Sequence, residues 1–575
     1  MPSPLSPRRS LFLAVALLTA CGAAGSPAPV VTPQLTVATP AEPSGVFGAY
    51  LSGRFAQSET DTGEAADRLL EALRREPGQP ELLSRAFVAS LLDGRQDALQ
   101  LARRLPENQA AQLLLIGADA HAGRWDRAEQ RVRALPRQGP AALLQPLLLA
   151  WSLQGKGQTE QAVTVLRPLA ESGRLRGIHA LHLALILDLA NRGREADRYA
   201  RMALAETPDS SLRLLQLAGG ILARNGREAD ALRLMEGLGR GLGDFSIIAT
   251  SDAARRALIA ARGVASPVEG IAEAELALAA ALRSQGGGGG GEAGLILARL
   301  SLRLRPGFPA AILLISEAYA DERHYDSALT MLDQIPASEP ISRVAALRRA
   351  TMLDRLERQE DAEAALRAIA RAAPEAPQPH IRLGDMLRAR GRFADSAAAY
   401  DAALERVPAP QTDIWPLLYA RGISNERAGR WARAEADFQR ALELSPEQPY
   451  VMNYLAYTWV EMGKNLPEAR RMLERAVELR PNDGNIVDSL GWALFKLGDY
   501  DTAVRWLERA AELESRNSVI LDHLGDAYWM AGRRNEARFQ WLRALRADPE
   551  ANEVPKIEAK LRVGLPTSPS TARRD

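Results

Sequence analysis

The stretch Leu524–Pro549 reads LGDAYWMAGRRNEARFQWLRALRADP, and its pattern of small, apolar and turn residues recurs along the chain. Residues 490–510, LGWALFKLGDYDTAVRWLERA, repeat the Leu-Gly pair, a second Gly and a later Ala at the same offsets. A small residue then returns once every 34 positions through the middle of the chain, at Gly294, Ala328, Ala362 and Ser396. A fixed period of 34 residues is typical of stacked helix pairs.

The small residues of the pattern have a physical role in such pairs. Two helices approach closely only where one of them carries Gly or Ala, and forcing a large residue into the contact costs about 1–3 kcal/mol. Gly498 and Gly532 follow the first helix of their pairs and can cap its C-terminus, and Pro549 ends the second helix of the last pair. We therefore predict helix-turn-helix units stacked along the chain.

These residues resemble the tetratricopeptide repeat (TPR). Its consensus has Leu-Gly and Tyr on the first helix, Ala and an aromatic on the second, and a closing Pro. Leu524-Gly525, Tyr528, Ala537 and Trp541 stand at these places in the last copy. The resemblance implies an all-α fold, a right-handed α-solenoid of about a dozen stacked helix-turn-helix repeats.

The repeats divide into two predicted arrays. The first array, residues 45–236, has copies centred on Ala65, Ala98, Ala128, Ala162, Ala196 and Ala229. The phase is lost over 237–267, where we expect an irregular, weakly packed joint or a degenerate repeat. The second array covers 268–550, followed by a predicted capping helix over 551–565 and a disordered tail over 566–575.

Composition agrees with a folded chain of this kind. The chain has 46% apolar residues and a net charge of +1, which is typical of a globular protein rather than a disordered one. A nearly balanced charge argues against nucleic acid as a partner, because nucleic acid calls for a basic stripe. A solenoid also explains how so long a chain folds without one very large core.

The N-terminus indicates export and a lipid anchor. Arg8 and Arg9 precede the apolar run Leu11–Ala20, which is too short to span a bilayer and fits a signal peptide over residues 1–20. The run ends in Leu18-Thr19-Ala20-Cys21, which resembles the bacterial lipobox, and Cys21 is the single cysteine of the chain. The resemblance implies lipidation of Cys21, and Gly22 after it favours the outer membrane, facing the periplasm.

Two other interpretations of this terminus remain open. One is an ordinary signal peptide with a bystander cysteine, and the other is a twin-arginine signal based on Arg8 and Arg9. After Cys21, residues up to 44 are rich in Pro and Ala with almost no charge. Such a segment has too little apolar surface to bury, so we predict a disordered tether.

Known catalytic patterns are missing from the sequence. It contains neither His-Glu-x-x-His nor Gly-x-Ser-x-Gly. His179 and His182 lie three apart on a predicted helix, but no cysteine or second pair accompanies them. We therefore expect no catalytic residue, no metal and no cofactor.

Aromatic residues concentrate near the C-terminus, where seven of the nine Trp follow Asp413. In the TPR family the concave groove is lined by set positions of the first helix of each repeat. Large aromatics interleaved with Asn and Asp at these positions suit an extended peptide backbone. Carried over onto the last three copies, the predicted partner-binding residues are Tyr450, Asn453, Tyr457, Asn485, Asp488, Trp492, Phe495, Lys496, Asp522, Asp526 and Trp529.

The charges at these positions predict the kind of ligand. Asp488, Asp522 and Asp526 face a single lysine, Lys496, so a clamp for a terminal carboxylate is disfavoured. We expect a basic or neutral extended segment instead. Tyr454 and Trp459, on the first helix of the earliest of these copies, are expected to serve helix packing.

The whole layout resembles the large TPR lipoproteins of Gram-negative bacteria. Some of these act as envelope adaptors that bring substrates to a periplasmic carboxy-terminal processing protease. We predict a non-catalytic, membrane-tethered periplasmic scaffold or adaptor for protein or peptide partners. The alternatives are an assembly factor for exopolysaccharide or outer-membrane biogenesis and an enzyme whose site the sequence does not reveal.

Overall fold

The computed structural model describes residues 45–136, 138–207, 211–284, 290–407 and 413–566. These ranges contain 30 α-helices and one short 3₁₀ helix, and no β-strand. The predicted signal peptide, Cys21 and the tether to residue 44 lie outside the described residues, as does the predicted tail from 567 onward. The all-α solenoid class is confirmed.

Twelve helices form six consecutive pairs over the first part of the chain. In order they are α1 Val46–Ser58, α2 Thr62–Arg75, α3 Pro80–Leu92, α4 Asp97–Ala102, α5 Gln109–His121, α6 Trp125–Ala134, α7 Gly139–Gly155, α8 Thr159–Ser172, α9 Arg176–Leu189, α10 Gly193–Ala205, α11 Leu212–Arg224 and α12 Glu228–Arg240. In each pair we call the first helix A and the second helix B.

A connecting segment follows α12. It contains the 3₁₀ helix Asp244–Ile248 and α13, Asp252–Ala260. Ile247, Ile248 and Ile259 are buried. The expectation of a weakly packed joint is therefore corrected, because these apolar side chains are removed from water as fully as those of the helix pairs.

Eight further pairs and a terminal helix complete the described chain. They are α14 Pro267–Ser284, α15 Gly290–Leu304, α16 Pro309–Asp321, α17 Tyr325–Leu332, α18 Ser342–Arg355, α19 Gln359–Ala372, α20 Gln378–Ala389, α21 Phe393–Leu404, α22 Trp415–Arg427, α23 Trp431–Leu444, α24 Pro449–Glu461, α25 Leu466–Leu479, α26 Gly484–Lys496, α27 Tyr500–Leu513, α28 Ser518–Met530, α29 Arg534–Arg546 and α30 Val554–Val563.

Close contact within a pair depends on a glycine of helix A. A Cβ at Gly422 would lie 2.5 Å from the Phe438 ring, and one at Gly525 would lie 2.4 Å from Trp541 Nε1. Real Cβ atoms do not approach other atoms so closely, so only glycine lets the ring of helix B lie against helix A. The Leu-Gly pair of the sequence pattern is thus explained by packing.

Helix B carries the small residues that set the 34-residue period. All of those named above are buried except Ala229, which is exposed. In α12 the buried small residue is Ala231, two positions later. The copy centred on Ala229 is therefore corrected: its sequence looks like a repeat of 193–197, but its helix begins at Glu228 and sets a different register.

The turn at Gly532 shows how helix A ends. Gly532 has φ +83°, and its N–H donates to Trp529 O while Arg533 N–H donates to Tyr528 O. This pair of bonds satisfies the last carbonyls of α28 in a left-handed cap that favours glycine. The chain then turns directly into α29.

Buried apolar side chains form two large clusters whose division does not follow the predicted arrays. One cluster extends from Ala49 to Met386, and the other from Tyr400 to Ile557. The first cluster includes the helices from α14 to α20 together with the first six pairs. Residues 268–386 thus share a core with the predicted first array.

Candidate partner-binding face

The predicted site residues all lie on helices A of the last pairs, α24, α26 and α28. We call the surface formed by successive helices A the helix-A face. A partner can bind this face only where it is exposed. Segments of the same chain cover it in three places.

From α3 to α11 the helix-A face is covered by α14 and α15. Gly270 of α14 lies so close to Trp151 of α7 that a Cβ would be 2.3 Å from its ring. Glu273 Oε2 of α14 accepts a hydrogen bond from Arg213 Nη2 of α11 at 2.6 Å. Arg303 of α15 donates to the Arg95 carbonyl at 3.0 Å. This part of the face is an internal interface.

At the start of the second array the face is covered by the connecting segment. The buried Asp244 carboxylate accepts from Arg382 Nη2 of α20 at 2.8 Å and lies 3.1 Å from Arg348 Nε of α18. Thr250 Oγ1 also donates to Glu375, which lies just before α20, at 3.1 Å. These contacts hold the segment against helices A from two successive pairs.

Near the C-terminus, aromatic rings of the helix-A face stack on one another. Trp492 lies parallel to Phe495, with centroids 4.8 Å apart, and parallel to His523 of α28, with centroids 3.9 Å apart. Its indole N–H donates to Glu461 of α24. Trp492 is only 8% exposed, so it joins three helices A and presents little free surface.

His523 is held by an acidic neighbour. Its Nδ1 lies 3.0 Å from Asp488 Oδ2 of α26, and both side chains are buried. Burial lowers the pKa of His523, but the Asp488 carboxylate, with Asp522 and Asp526, outweighs burial and raises the pKa above its ordinary value. The pair therefore favours a charged imidazolium inside the stack.

The acidic residues of α28 are bound by the terminal helix α30. Lys560 Nζ lies 2.6 Å from Asp522 Oδ2 and 2.8 Å from Asp526 Oδ2. Trp529 Nε1 donates to the Leu565 carbonyl at 3.1 Å, and Trp529 is 8% exposed. The last helix A is thus covered by the segment that follows it.

The pKa values of the charged groups at this contact are shifted from their ordinary values. Burial raises the pKa of Asp526 to about 6; the nearby Asp522 adds to the effect and Lys560 opposes it. Burial lowers the pKa of Lys560, but Asp526 and Asp522 outweigh burial and raise it. Trp541 Nε1 also donates to Asp526 Oδ1 at 2.9 Å. Lys560 keeps its charge in the folded chain.

Between the covered ends, α22 and α24 leave a strip of the helix-A face partly exposed. Tyr419, Ile423, Tyr450, Asn453 and Tyr457 are half-buried there, and we call them the central strip. Burial raises the pKa of Tyr419 to about 12, opposed by Arg388 and supported by Tyr450. The strip presents tyrosine rings and the Asn453 amide. It lies between Arg388 of α20 and the acidic residues of α26.

Other predicted residues have more local surroundings. Asn485 is exposed and accepts from Asn517 Nδ2 at 3.2 Å. Lys496 Nζ is exposed, 3.6 Å from Glu461 and 4.8 Å from the Trp492 ring centre. Asn453 Oδ1 is buried, with no hydrogen-bond partner among the described residues. Their role in partner binding stays a prediction.

The expected packing residues do pack between helices. Trp459 is buried, and its Nε1 donates to Glu435 at 2.5 Å. The Tyr454 ring lies 5.3 Å from that of Phe438 and 6.0 Å from that of Tyr419. Such aromatic contacts join α22, α23 and α24 beneath the central strip.

Sequence reasoning missed three features of the face: Lys560, Asp244 and the cover formed by α14 and α15. The sequence did predict a capping helix over 551–565, because the last repeat would otherwise leave a face exposed. No comparable signal shows that its lysine reaches Asp522. Tyr419 was also missed, although it lies 34 residues before Asn453, at the same position of its repeat.

Metal chemistry finds no support among the residues that the structure describes, since no group of three or more His, Cys, Asp or Glu side chains could hold an ion there. His182 Nδ1 accepts from Trp151 Nε1 at 3.0 Å. Burial lowers the pKa of His182 to about 3. Within the same residues, no helix is long and apolar enough to cross a membrane.

Family comparisons identify the repeats. A model described as tetratricopeptide repeat matches residues 347–417, 381–449 and 489–552, and a second model of that description matches 427–490. A TPR repeat-containing protein of Pseudomonas aeruginosa is 32% identical over 89 residues, which cover 16% of this chain and 15% of that protein. Residues 347–552 thus consist of tetratricopeptide repeats.

Solved structures of repeat proteins are similar to parts of the chain. A TPR protein from Parabacteroides merdae has 15% identity and a TM-score of 0.36, over 43% of this chain and 95% of that one. YrrB, a TPR protein with an unusual peptide-binding site, has 21% identity and a TM-score of 0.27, over 34% of this chain and 97% of its own. The APC/C hetero-tetramer Cut9–Hcn1 has 14% identity and a TM-score of 0.37, over 90% and 96%. Tetratricopeptide repeats typically form non-catalytic scaffolds for protein–protein interaction.

Proposed function

We propose that this chain, whose residues 347–552 are tetratricopeptide repeats, binds a protein partner through the central strip of its helix-A face. One observation carries the proposal: the chain covers its own helix-A face at both ends and leaves Tyr419, Tyr450 and Tyr457 partly exposed in between. Tyrosines are suited to this role, because each supplies apolar contact area and a hydrogen-bonding hydroxyl at low entropic cost.

The test compares partner capture by two double variants. Tyr450→Ala with Asn453→Ala removes a ring and an amide from the strip, and loss of about 2 kcal/mol at such an anchor lowers affinity roughly thirtyfold. Phe539→Ala with Leu542→Ala is the control, because these exposed apolar residues lie on helix B of the last pair. Proteins recovered from envelope extracts are quantified by mass spectrometry. Equal recovery by both variants would place the partner site elsewhere.

The proposal extends to a lipid-anchored adaptor at the periplasmic side of the outer membrane. It is supported by the lipobox resemblance at Cys21 and by α1, the first helix of the described residues. In α1, Phe47 (82% exposed), Leu51 (64%) and Phe55 (68%) follow one another at helical spacing on one side. Exposed apolar stripes of this kind suit a position against a membrane or another protein.

The partner would be a periplasmic protease and the substrates delivered to it. The same extract experiment separates this from the alternative of an envelope assembly or exopolysaccharide factor. Recovery of a protease with hydrolases supports the adaptor. Recovery of a secretion channel supports the assembly factor.

A further inference from the structure

The terminal helix α30 occupies a second part of the helix-A face in the way a ligand would. It follows the last pair after a turn and lies over the acidic and aromatic residues of α28. The sequence predicts a basic or neutral extended segment at Asp522 and Asp526, and in the structure a lysine of the chain itself lies there. Both observations concern the same two carboxylates.

Electrostatics explains why this place needs a cation. Asp522 and Asp526 lie within 2.8 Å of one ammonium group, and Asp488 is buried on the neighbouring helix A. Without Lys560, carboxylates of like charge would face one another in a site largely removed from water, which is unfavourable. A segment that replaces α30 must therefore bring its own positive charge.

Further contacts define the shape of the segment. Ile557 is buried, and Trp529 Nε1 donates to the Leu565 carbonyl. Gly564 has φ +74°, and a Cβ on it would lie 1.8 Å from the Trp529 ring, so only glycine fits there. The recognised pattern is Ile-x-x-Lys-x-x-x-Gly-Leu at the C-terminal end of a helix.

The hold of α30 on this surface is limited. The helix has 10 residues and one fully buried side chain, Ile557, while Val563 is 80% exposed. A helix this short is marginal by itself in water, so docking supplies most of its stability. Coupling in a solenoid is between neighbours, so α30 can leave without unfolding the pairs before it.

We propose that α30 is an internal ligand of the α28 surface, which a protein partner displaces with a basic amphipathic helix of the same pattern. This rests on the proposed function only in assigning the displacing helix to a protein partner. The linked helix competes at an effective concentration on the order of millimolar, so an external segment binds weakly until α30 is released.

The experiment measures binding of a fluorescent peptide of residues 552–566 to the full chain by anisotropy. Lys560→Glu in the chain should open the surface by repulsion from Asp522 and Asp526, and the peptide should then bind at least about tenfold more tightly than to the unchanged chain. Lys556→Glu is the matched control, because exposed Lys556 pairs with Glu553 of its own segment and not with α28. A peptide with glutamate at position 560 should not bind.

A second variant keeps the proposal testable if Lys560→Glu does not fold. Gly564→Ala adds a methyl group against Trp529 and leaves every acidic residue in place. It should also bind the peptide more tightly, and faster hydrogen exchange should be confined to 554–563.

Peptide binding no tighter than to the unchanged chain in either variant would overturn the proposal. So would loss of protection throughout α28 and α29, which marks a permanent structural cap. Tyr450→Ala with Asn453→Ala leaves this measurement unchanged, so the two proposals fail separately.

Discussion

The buried pair of His523 and Asp488 links two successive helices A through one short contact, 3.0 Å between Nδ1 and Oδ2. Removing one partner of such a pair leaves an uncompensated buried group, which is costly. The Trp492 ring stacked on His523 makes the same site aromatic and charged. This position therefore combines tight packing with a titratable side chain.

The raised pKa of His523 predicts how stability changes with pH. Its stabilising contribution is complete below the unfolded pKa of about 6.5 and is lost as pH rises through the higher folded pKa. Asp526, with its pKa raised to about 6, acts with the same sign over a lower range. Hydrogen exchange of α26 and α28 should therefore show lower protection at about pH 8 than at about pH 6.

Asp488→Asn tests the cause of this dependence. Without the carboxylate, burial lowers the pKa of His523, and the part of the pH dependence above about 6.5 should disappear. His121→Gln is the control, since His121 is exposed. An unchanged pH dependence in Asp488→Asn would contradict the assignment to this pair.

Ala503 tests the small-residue pattern itself. It is fully buried on α27, so Ala503→Arg must bury a charge against α26 or separate the two helices, and we expect a loss of about 3 kcal/mol or more. Urea unfolding measures the loss, and Arg505→Ala on the exposed side of the same helix is the control. Hydrogen exchange should change mainly over 480–540, and a uniform change would argue against neighbour coupling.

Among the elements, α14 and α15 differ most from their expected role. They form a regular pair, but they also cover the helix-A face of the first array through Gly270, Glu273 and Arg303. A solenoid face covered in this way is unavailable to a partner. The pair therefore connects the two arrays and also limits binding to the later repeats.

Gly270→Val should weaken this internal interface. The added side chain overlaps the Trp151 ring, and overpacking of this kind costs about 1–3 kcal/mol. We expect faster hydrogen exchange in α14 and α7 and a lower midpoint of urea unfolding. Gly237→Ala is the control, because a Cβ there meets nothing within 4 Å. Equal effects of the two substitutions would show that α14 does not pack against α7.

On the scale of the whole molecule, the helix-A face is covered at both ends and open in the middle. Contacts of α14, α15 and the connecting segment cover its beginning, and α30 covers its end. The two large apolar clusters meet between Met386 and Tyr400, close to the central strip. The strip itself belongs to the second cluster, since Tyr419, Ile423, Tyr450 and Tyr457 pack against it.

Membrane attachment is also a property of the whole molecule, and Cys21→Ser tests it. Each buried CH₂ of an acyl chain contributes about 0.8 kcal/mol, so the unchanged protein should enter the detergent phase on Triton X-114 partition. The variant should remain in the aqueous phase. An exported variant that still sediments with membranes after a salt wash would show that attachment does not depend on Cys21.

The sequence alone determined the helix pairs, because their contacts lie within one repeat or between neighbours and recur every 34 residues. Gly422 against Phe438 and Gly525 against Trp541 are contacts of this kind. The period also identified helices α24, α26 and α28 as carriers of the helix-A face. Ala229 shows the limit of the repeat pattern, since the same motif can lie two residues out of register.

Only the tertiary structure decided which parts of that face are free. Asp244 meets Arg382 and Gly270 meets Trp151 across separations that the repeat period does not describe, whereas Lys560 lies one repeat period after Asp526. The path of a solenoid is the sum of small rotations between repeats, so distant segments come together without any local signal. The sequence predicted a basic or neutral extended ligand for this surface, which stays a prediction, and only the fold shows that Lys560 of the same chain lies at its carboxylates.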